Sequence, residues 1–381
     1  MNLVWTVLIL MALVCAPVQL QAQARLFAAP GGAPITVGLG SGEILLVDLN
    51  QDGHLDLVTK HLLDRRISVR FGGGTDPFST AAEMRFDFEP GAISIADVND
   101  DAILDLGIAS REGEREYVHI LLGGGDASFT EAAGSPFDVS SSFDFYKPDL
   151  YLLDINEDSK NDVVAANGRR NSIEVLFGDG RGGFSRGPTV ALEADGDLYS
   201  MMPGDVDGDG HPDLVIAMSL AGGSGQVAIM LGDGKGDFVK AQNSSLEVLA
   251  APRVAALTDA NGDNHLDAII THGRIATLEV LLNRGDGTFS SPSQHAIADW
   301  ANAVLVTDVN RDGAKDLIAA TVDSVTVLLG YGGGFTPAPG SPFPAGPGAY
   351  NAAAGDLNED GRMDLVASSF EGSTVTVLMG Q

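Results

Sequence analysis

Seven segments of the chain carry an acidic nonapeptide, D-x-[DN]-x-D-x-x-x-D, whose spacing of oxygen donors is that of a hard-cation loop. The donors are Asp48, Asn50, Asp52 and Asp56 in the first loop and Asp97, Asn99, Asp101 and Asp105 in the second. The third has Asp154, Asn156, Asp158 and Asp162, and the fourth Asp205, Asp207, Asp209 and Asp213. The fifth has Asp259, Asn261, Asp263 and Asp267, the sixth Asp308, Asn310, Asp312 and Asp316, and the seventh Asp356, Asn358, Asp360 and Asp364. Calcium takes roughly six to eight oxygen ligands in flexible geometry. Loop positions 1, 3 and 5 offer side-chain oxygens on one side of a tight backbone, position 7 a carbonyl, and position 9 a closing carboxylate. Position 6 needs a left-handed residue, and it is Gly53, Gly210, Asn264, Gly313 and Gly361 in five loops. Ala102 and Ser159 depart from this and mark the second and third loops as the weaker sites. A solvated acidic turn would account for one such loop, not for seven in phase.

Charge agrees with metal. The chain has 52 acidic and 22 basic residues, a net charge of −30. The ligand positions hold 22 of those carboxylates, three per loop and a fourth where Asp207 stands, so the remaining balance is an ordinary −8. Clustered carboxylates repel unless neutralised, and up to seven Ca²⁺ ions would leave −16. Such a chain is a poor ligand for nucleic acid, which needs a positive surface.

The N-terminus reads as a signal peptide over residues 1–24. Residues 3–16 are almost wholly apolar, and Ala22-Gln23-Ala24 is an A-x-A cleavage pattern. No Lys or Arg precedes the apolar run, so retention as an uncleaved anchor is the competing expectation. The single cysteine, Cys15, would leave with the signal. The expected location is secreted, extracellular or periplasmic, where calcium is abundant.

A second motif keeps step with the first: an apolar strand, a Gly-rich turn and a Phe, as in VRFGGGTDPF (69–78), ILLGGGDASF (120–129) and VLFGDGRGGF (175–184). The gaps between first aspartates are 49, 57, 51, 54, 49 and 48 residues. A fixed period of that size signals a repeat architecture, and four short strands per period make a propeller blade. The expected fold is all-β, a seven-bladed β-propeller of four-stranded antiparallel blades occupying residues 25–381. The last repeat stops before its Phe strand, while residues 24–38 match residues 333–348 in character. The N-terminal segment should therefore supply the outer strand of the last blade and close the ring.

The paired motifs resemble the FG-GAP and VCBS repeats of integrin α-chain head domains and of many secreted bacterial proteins, and a fungal lectin family with calcium-loop propellers is also similar. The resemblance covers the mature chain. It implies calcium ligands at loop positions 1, 3, 5 and 9, and it is weak for function, because propellers host binding, adhesion and catalysis alike. The family's G-A-P tripeptide is missing from most repeats, although Gly32-Ala33-Pro34 stands near the N-terminus.

In an up-and-down blade the acidic loops and Gly-rich hairpins share one face, leaving the second turns and inter-blade connections on the other. Seven arginines lie in second turns, among them Arg65, Arg66, Arg169 and Arg170. With Tyr146 of the long connection 135–149, these are the ligand candidates, suited to a carboxylated or sulfated partner. The competing expectation is that Asp64 and Glu112, Glu114 and Glu116 pair with them on a solvated rim. Tyr146, Tyr199 and Trp300 are candidates for stacking on a sugar. No zinc helix motif, phosphate loop or nucleophile elbow is legible. His54, His211 and His265 at loop position 7 should face solvent, and Asp195 with Asp197 is the one candidate carboxylate pair. The function expected is a monomeric calcium-binding adhesion or binding module for a protein or glycan, with no enzymatic activity. The alternatives are a lectin and a polysaccharide-cleaving enzyme.

Overall fold

Each acidic loop is preceded and followed by an apolar strand, so it forms the first turn of an antiparallel hairpin. The computed structural model describes residues 26–28, 33–73, 78, 80–112, 115–139, 149–167, 171–192, 196–242, 245–332 and 334–381. In it this hairpin recurs seven times, and each copy is extended by further strands into an antiparallel sheet. The described residues contain strands and turns and no helix, hence none long and apolar enough to cross a membrane. Residues 1–25, Gly32, Phe143, Phe145, Tyr146, Arg169, Arg170 and Asp195 lie outside the described residues.

Blade 1 is Ser41–Val47, Asp56–His61, Arg66–Phe71 and Thr80–Arg85, in that order across the sheet. Five further blades follow with the same order. Blade 7 takes Ala349–Gly355, Asp364–Ser369 and Thr374–Leu378 from the C-terminal end, and Ile35–Thr36 pairs against the last of these. Phe27 continues the pairing opposite Gly380, and Gln381 N donates to Leu26 O at 3.1 Å. Phe27 is 1% exposed and packs edge-on to Phe343, so it takes the place that Phe129, Phe184 and Phe238 hold at the start of other outer strands. The N-terminal segment completes the last blade, as its sequence suggests.

The apolar core lies between blades. Seven clusters of buried side chains are present, each drawn from two successive blades. An open arc of seven blades would have six interfaces. The seventh cluster joins Ile44, Leu57 and Phe78 of blade 1 to Leu357, Val366 and Val375 of blade 7, so the ring is closed. Each fully buried side chain of this size contributes about 1.5–3 kcal/mol.

The outer strand is continuous in blades 1 and 3 and broken into two pieces in blades 2, 4 and 6. In blades 2 and 6 the break is a Gly-Ser-Pro turn, where proline removes a ladder donor. Ser135 Oγ there accepts from Ile120 N at 3.1 Å and Ser341 Oγ from Val327 N at 2.9 Å. The hydroxyls stand in for strand carbonyls. The described parts of the two matching segments share this pattern: Phe27 with Ile35–Thr36, and Gly334–Pro337 with Phe343–Pro344, are each an outer strand in two pieces.

The acidic loops and Gly-rich hairpins do share a face, since Gly72 N donates to Asp56 Oδ1 at 2.8 Å in blade 1 and its counterparts do the same around the ring. Second turns and connections share the other, where Leu62 N donates to Gly40 O and Phe86 N to Arg65 O.

Candidate metal loops and the opposite face

Short polar side chains in a turn hydrogen-bond their own backbone, and all seven loops are built this way with the same bonds. The position 1 carboxylate accepts the amide of position 6, from Gly53 N to Asp48 Oδ2 in the first loop to Gly361 N to Asp356 Oδ2 in the last. Position 3 accepts the amide of position 5. Position 5 accepts the amide of position 7. The chain is thereby wound so that three oxygen-bearing side chains gather on the rim of each loop. That donor set, oxygen only and mainly carboxylate, fits calcium.

Position 9 behaves differently. Asp56, Asp105, Asp162, Asp213, Asp267, Asp316 and Asp364 are each 0% exposed. One oxygen accepts the amide of loop position 2, as Leu49 N to Asp56 Oδ2 at 2.9 Å, and the other accepts an amide where the third strand ends. The aspartate clamps the loop to the Gly-rich hairpin. Burial outweighs these two bonds and pushes Asp162, Asp213 and Asp267 up to about 6. The other four are raised for the same reason.

Two further loop features escaped the sequence reading. Position 4 is left-handed in every loop, although it is Gln51, Asp100, Glu157, Gly208, Gly262, Arg311 and Glu359. The glycines of the fourth and fifth loops were the available signal. Position 2 is apolar and buried throughout, from Leu49 to Leu357, and pins each loop to an inter-blade cluster. Position 6 has φ between +64° and +93°, and Ala102 (+64°) and Ser159 (+66°) hold it without being glycine.

Side chains grade the loops. Asp205, Asp207 and Asp209 bring ligand oxygens within 4.8 Å of one another, alone among the described His, Cys, Asp and Glu residues in forming such a group. Burial and the neighbouring Asp209 and Asp205 carboxylates push Asp207 up. In the third loop Lys160 Nζ lies 3.3 Å from Asp158 Oδ2 and offsets the charge of that loop carboxylate. The position 7 histidines are part-exposed, and two of them also pair with a glutamate of a neighbouring blade. His54 Nδ1 lies 2.6 Å from Glu359 Oε1, and His211 bonds Glu157, each glutamate being position 4 of the preceding loop in the ring. The Glu157 contact raises His211.

On the opposite face Arg66 is engaged by Asp64 at 3.1 Å and Glu83 at 2.6 Å, which removes it as an open donor for an anion. Arg65 is exposed and its Nη1 donates to Asp87 O at 3.1 Å. Arg253 lies over the Tyr199 ring at 5.6 Å. His61, His119 and His272 are buried within blades, His61 being lowered to about 4 by burial, and His295 packs against Phe335. Asp197 is exposed at the start of an inner strand.

No curated protein matches the chain in sequence. Among solved structures, BBS1N in complex with ARL6DN is similar with a TM-score of 0.63, at 14% identity over 94% of this chain and 98% of that one. A functionally unknown protein of Desulfotomaculum acetoxidans is similar at 0.58, with 13% identity over 85% and 93%. An Agrocybe aegerita lectin, solved for its recognition of non-reducing terminal N-acetylglucosamine, is similar at 0.52, with 17% identity over 81% and 80%. These likenesses are of fold. The FG-GAP-like repeat model matches residues 154–216, 205–270, 259–319 and 308–367, more than half of the chain. The matched span contains five of the acidic loops, whose hydrogen bonds the two outside it reproduce, and the chain belongs to the family of FG-GAP-like repeat proteins.

Proposed function

We propose that this protein is a secreted, calcium-stabilised propeller acting as a binding module for a protein or glycan, with no catalytic step of its own. The carrying observation is the loop architecture: positions 1, 3 and 5 put oxygens on one rim seven times over, through one set of backbone bonds. Calcium bound there would be held by these side chains and would supply charge neutralisation and cross-linking to a chain whose only cysteine is Cys15. Position 9 contributes by fixing the loop, whether or not it also reaches the ion. With the acidic face committed to metal, the second turns and connections are the surface left for recognition, since variable loops on a rigid scaffold carry binding.

Native mass spectrometry of the mature chain with and without Ca²⁺ tests the metal, with several bound ions expected. Retention on glycan and extracellular-protein arrays in calcium tests the module. A chain that takes up no calcium, or that retains neither class of ligand, sinks the proposal. Release of reducing ends from a polysaccharide would favour the enzymatic alternative.

A further inference from the structure

We infer that the interface between blades 1 and 2 holds a binding site for a short neutral saccharide. The inference rests on the reading of the face opposite the acidic loops as the recognition face. The connection between these blades runs Phe86-Asp87-Phe88-Glu89, and it covers a cavity of about 710 Å³ against the outer strands of blade 2. That size is within the range of small-ligand sites.

The cavity wall is aromatic and held in place. The Phe86 and Phe88 rings lie 4.9 Å apart between centroids, tilted by 31°, and Phe88 stacks on His119 at 3.9 Å. His119 is 6% exposed, with Nε2 at 2.9 Å from Ser110 Oγ and Nδ1 at 3.3 Å from Glu131 Oε1. Glu131 in turn accepts from Ser135 Oγ at 3.0 Å. Rings fixed in this way offer an apolar surface whose ordering is complete before a ligand arrives.

The polar lining selects the ligand class. Arg65 and Arg111 carry only donors, and Asp87, Glu89 and Glu131 carry only acceptors when ionised. An anionic ligand would meet three carboxylates on a protein of net charge −30. A cationic one would meet two guanidiniums. A hydroxyl group both donates and accepts, so a neutral polyol satisfies both kinds of wall at once, while the C–H faces of its ring lie on phenylalanine. A saccharide joins these two properties in one molecule.

The test uses the mature chain in millimolar Ca²⁺, with saturation-transfer NMR and calorimetry. The probes are the neutral disaccharides cellobiose, lactose and N,N′-diacetylchitobiose, beside anionic digalacturonate and cationic chitobiose amine. At least one neutral disaccharide should bind. Phe88→Ala, Arg65→Ala and Glu131→Gln should each weaken it tenfold or more. The two polar variants alter exposed side chains, so an unchanged melting curve shows that they remain folded. Neutral disaccharide binding that survives all three variants overturns the site. Absence of neutral binding, with or without retention of a charged sugar, overturns the ligand class. Either result leaves the broader reading standing if another glycan or a protein is captured on the arrays, and that reading falls separately if nothing is.

Discussion

The third and fourth acidic loops are neighbours in the ring and share their backbone hydrogen bonds, yet a lysine offsets part of the negative charge in the third and none does in the fourth. Asp154, Asn156 and Asp158 and their counterparts Asp205, Asp207 and Asp209 accept amides from the same loop positions. The fourth loop then adds a third rim carboxylate in Asp207 and places Gly210 at position 6. The third instead strains Ser159 into the left-handed region and lays Lys160 on Asp158. Loop shape is therefore set by backbone bonds common to all copies, while the charge and strain each loop presents differ at positions 3, 6 and 7. Seven identical shapes need not mean seven equal sites.

The largest expected effect separates metal from shape. Filling one site at about a hundred times its dissociation constant stabilises by about 2.7 kcal/mol, so several filled sites should raise the melting temperature by many degrees over a chelator. Asp205→Ala should remove more of that gain than Asp154→Ala, as read by calorimetric melts. Equal losses would erase the distinction between the two loops.

The position 9 clamp should act without metal. Asp213→Ala leaves the buried amide of Val206 and the part-buried amide of Gly232 without an acceptor. At about 1–3 kcal/mol for each, the cost should be roughly 2–6 kcal/mol in chelator and in calcium alike. A loss confined to calcium would make Asp213 a ligand first and a clamp second.

A smaller effect should appear in both loops equally. Burial holds Asp162 and Asp213 at about 6, above the unfolded carboxylate value of about 4. A raised folded pKa means that protonation favours the folded state, so this contribution is complete below the unfolded value and is lost as pH rises through about 6. In chelator the melting temperature should fall between pH 5 and pH 7. Calcium, which competes with protons for clustered carboxylates, should flatten or reverse the trend.

The smallest effect is local. Ser159→Gly relieves a left-handed residue at φ +66°. Relief of about 1–2 kcal/mol is offset by the extra freedom of glycine in the unfolded chain, about 0.4–1 kcal/mol. A net gain below about 1 kcal/mol in denaturant melts is expected, along with tighter calcium binding by the third loop. A net loss would show that the loop holds Ser159 without strain.

Blade number and ring closure were legible because both depend on spacing: the nonapeptide counts the blades, and the Phe of the broken outer strand recurs at Phe27. The clamp was harder to see, since an aspartate at position 9 reads equally as a ligand, and only its two amide partners and its burial separate the roles. Left-handed backbone at Gln51 or Arg311 has no signature in the residue type, because a network of side-chain bonds imposes it. Contacts between blades were illegible for a geometric reason. His54 meets Glu359 and Phe88 meets His119 only after the ring has brought distant segments side by side. Arg66 was illegible for a local reason, because its carboxylate partner Glu83 sits on the neighbouring strand of the same blade.

The pairing of Leu26 and Phe27 with Gly380 and Gln381 also constrains the order of assembly. Five of the seven inter-blade clusters join segments adjacent in the chain and can form as each blade follows the last, while the cluster between blades 6 and 7 also takes in Phe27 from the N-terminal end. The cluster between blades 7 and 1 joins residues 279 to 331 positions apart, and its closure entropy must be met before any of its contacts form. Until then Ile44, Leu57 and Phe78 present an uncovered apolar flank, the surface on which a half-made ring would associate with another of its kind. Closure of the ring is thus the step at which that flank is covered by Leu357, Val366 and Val375.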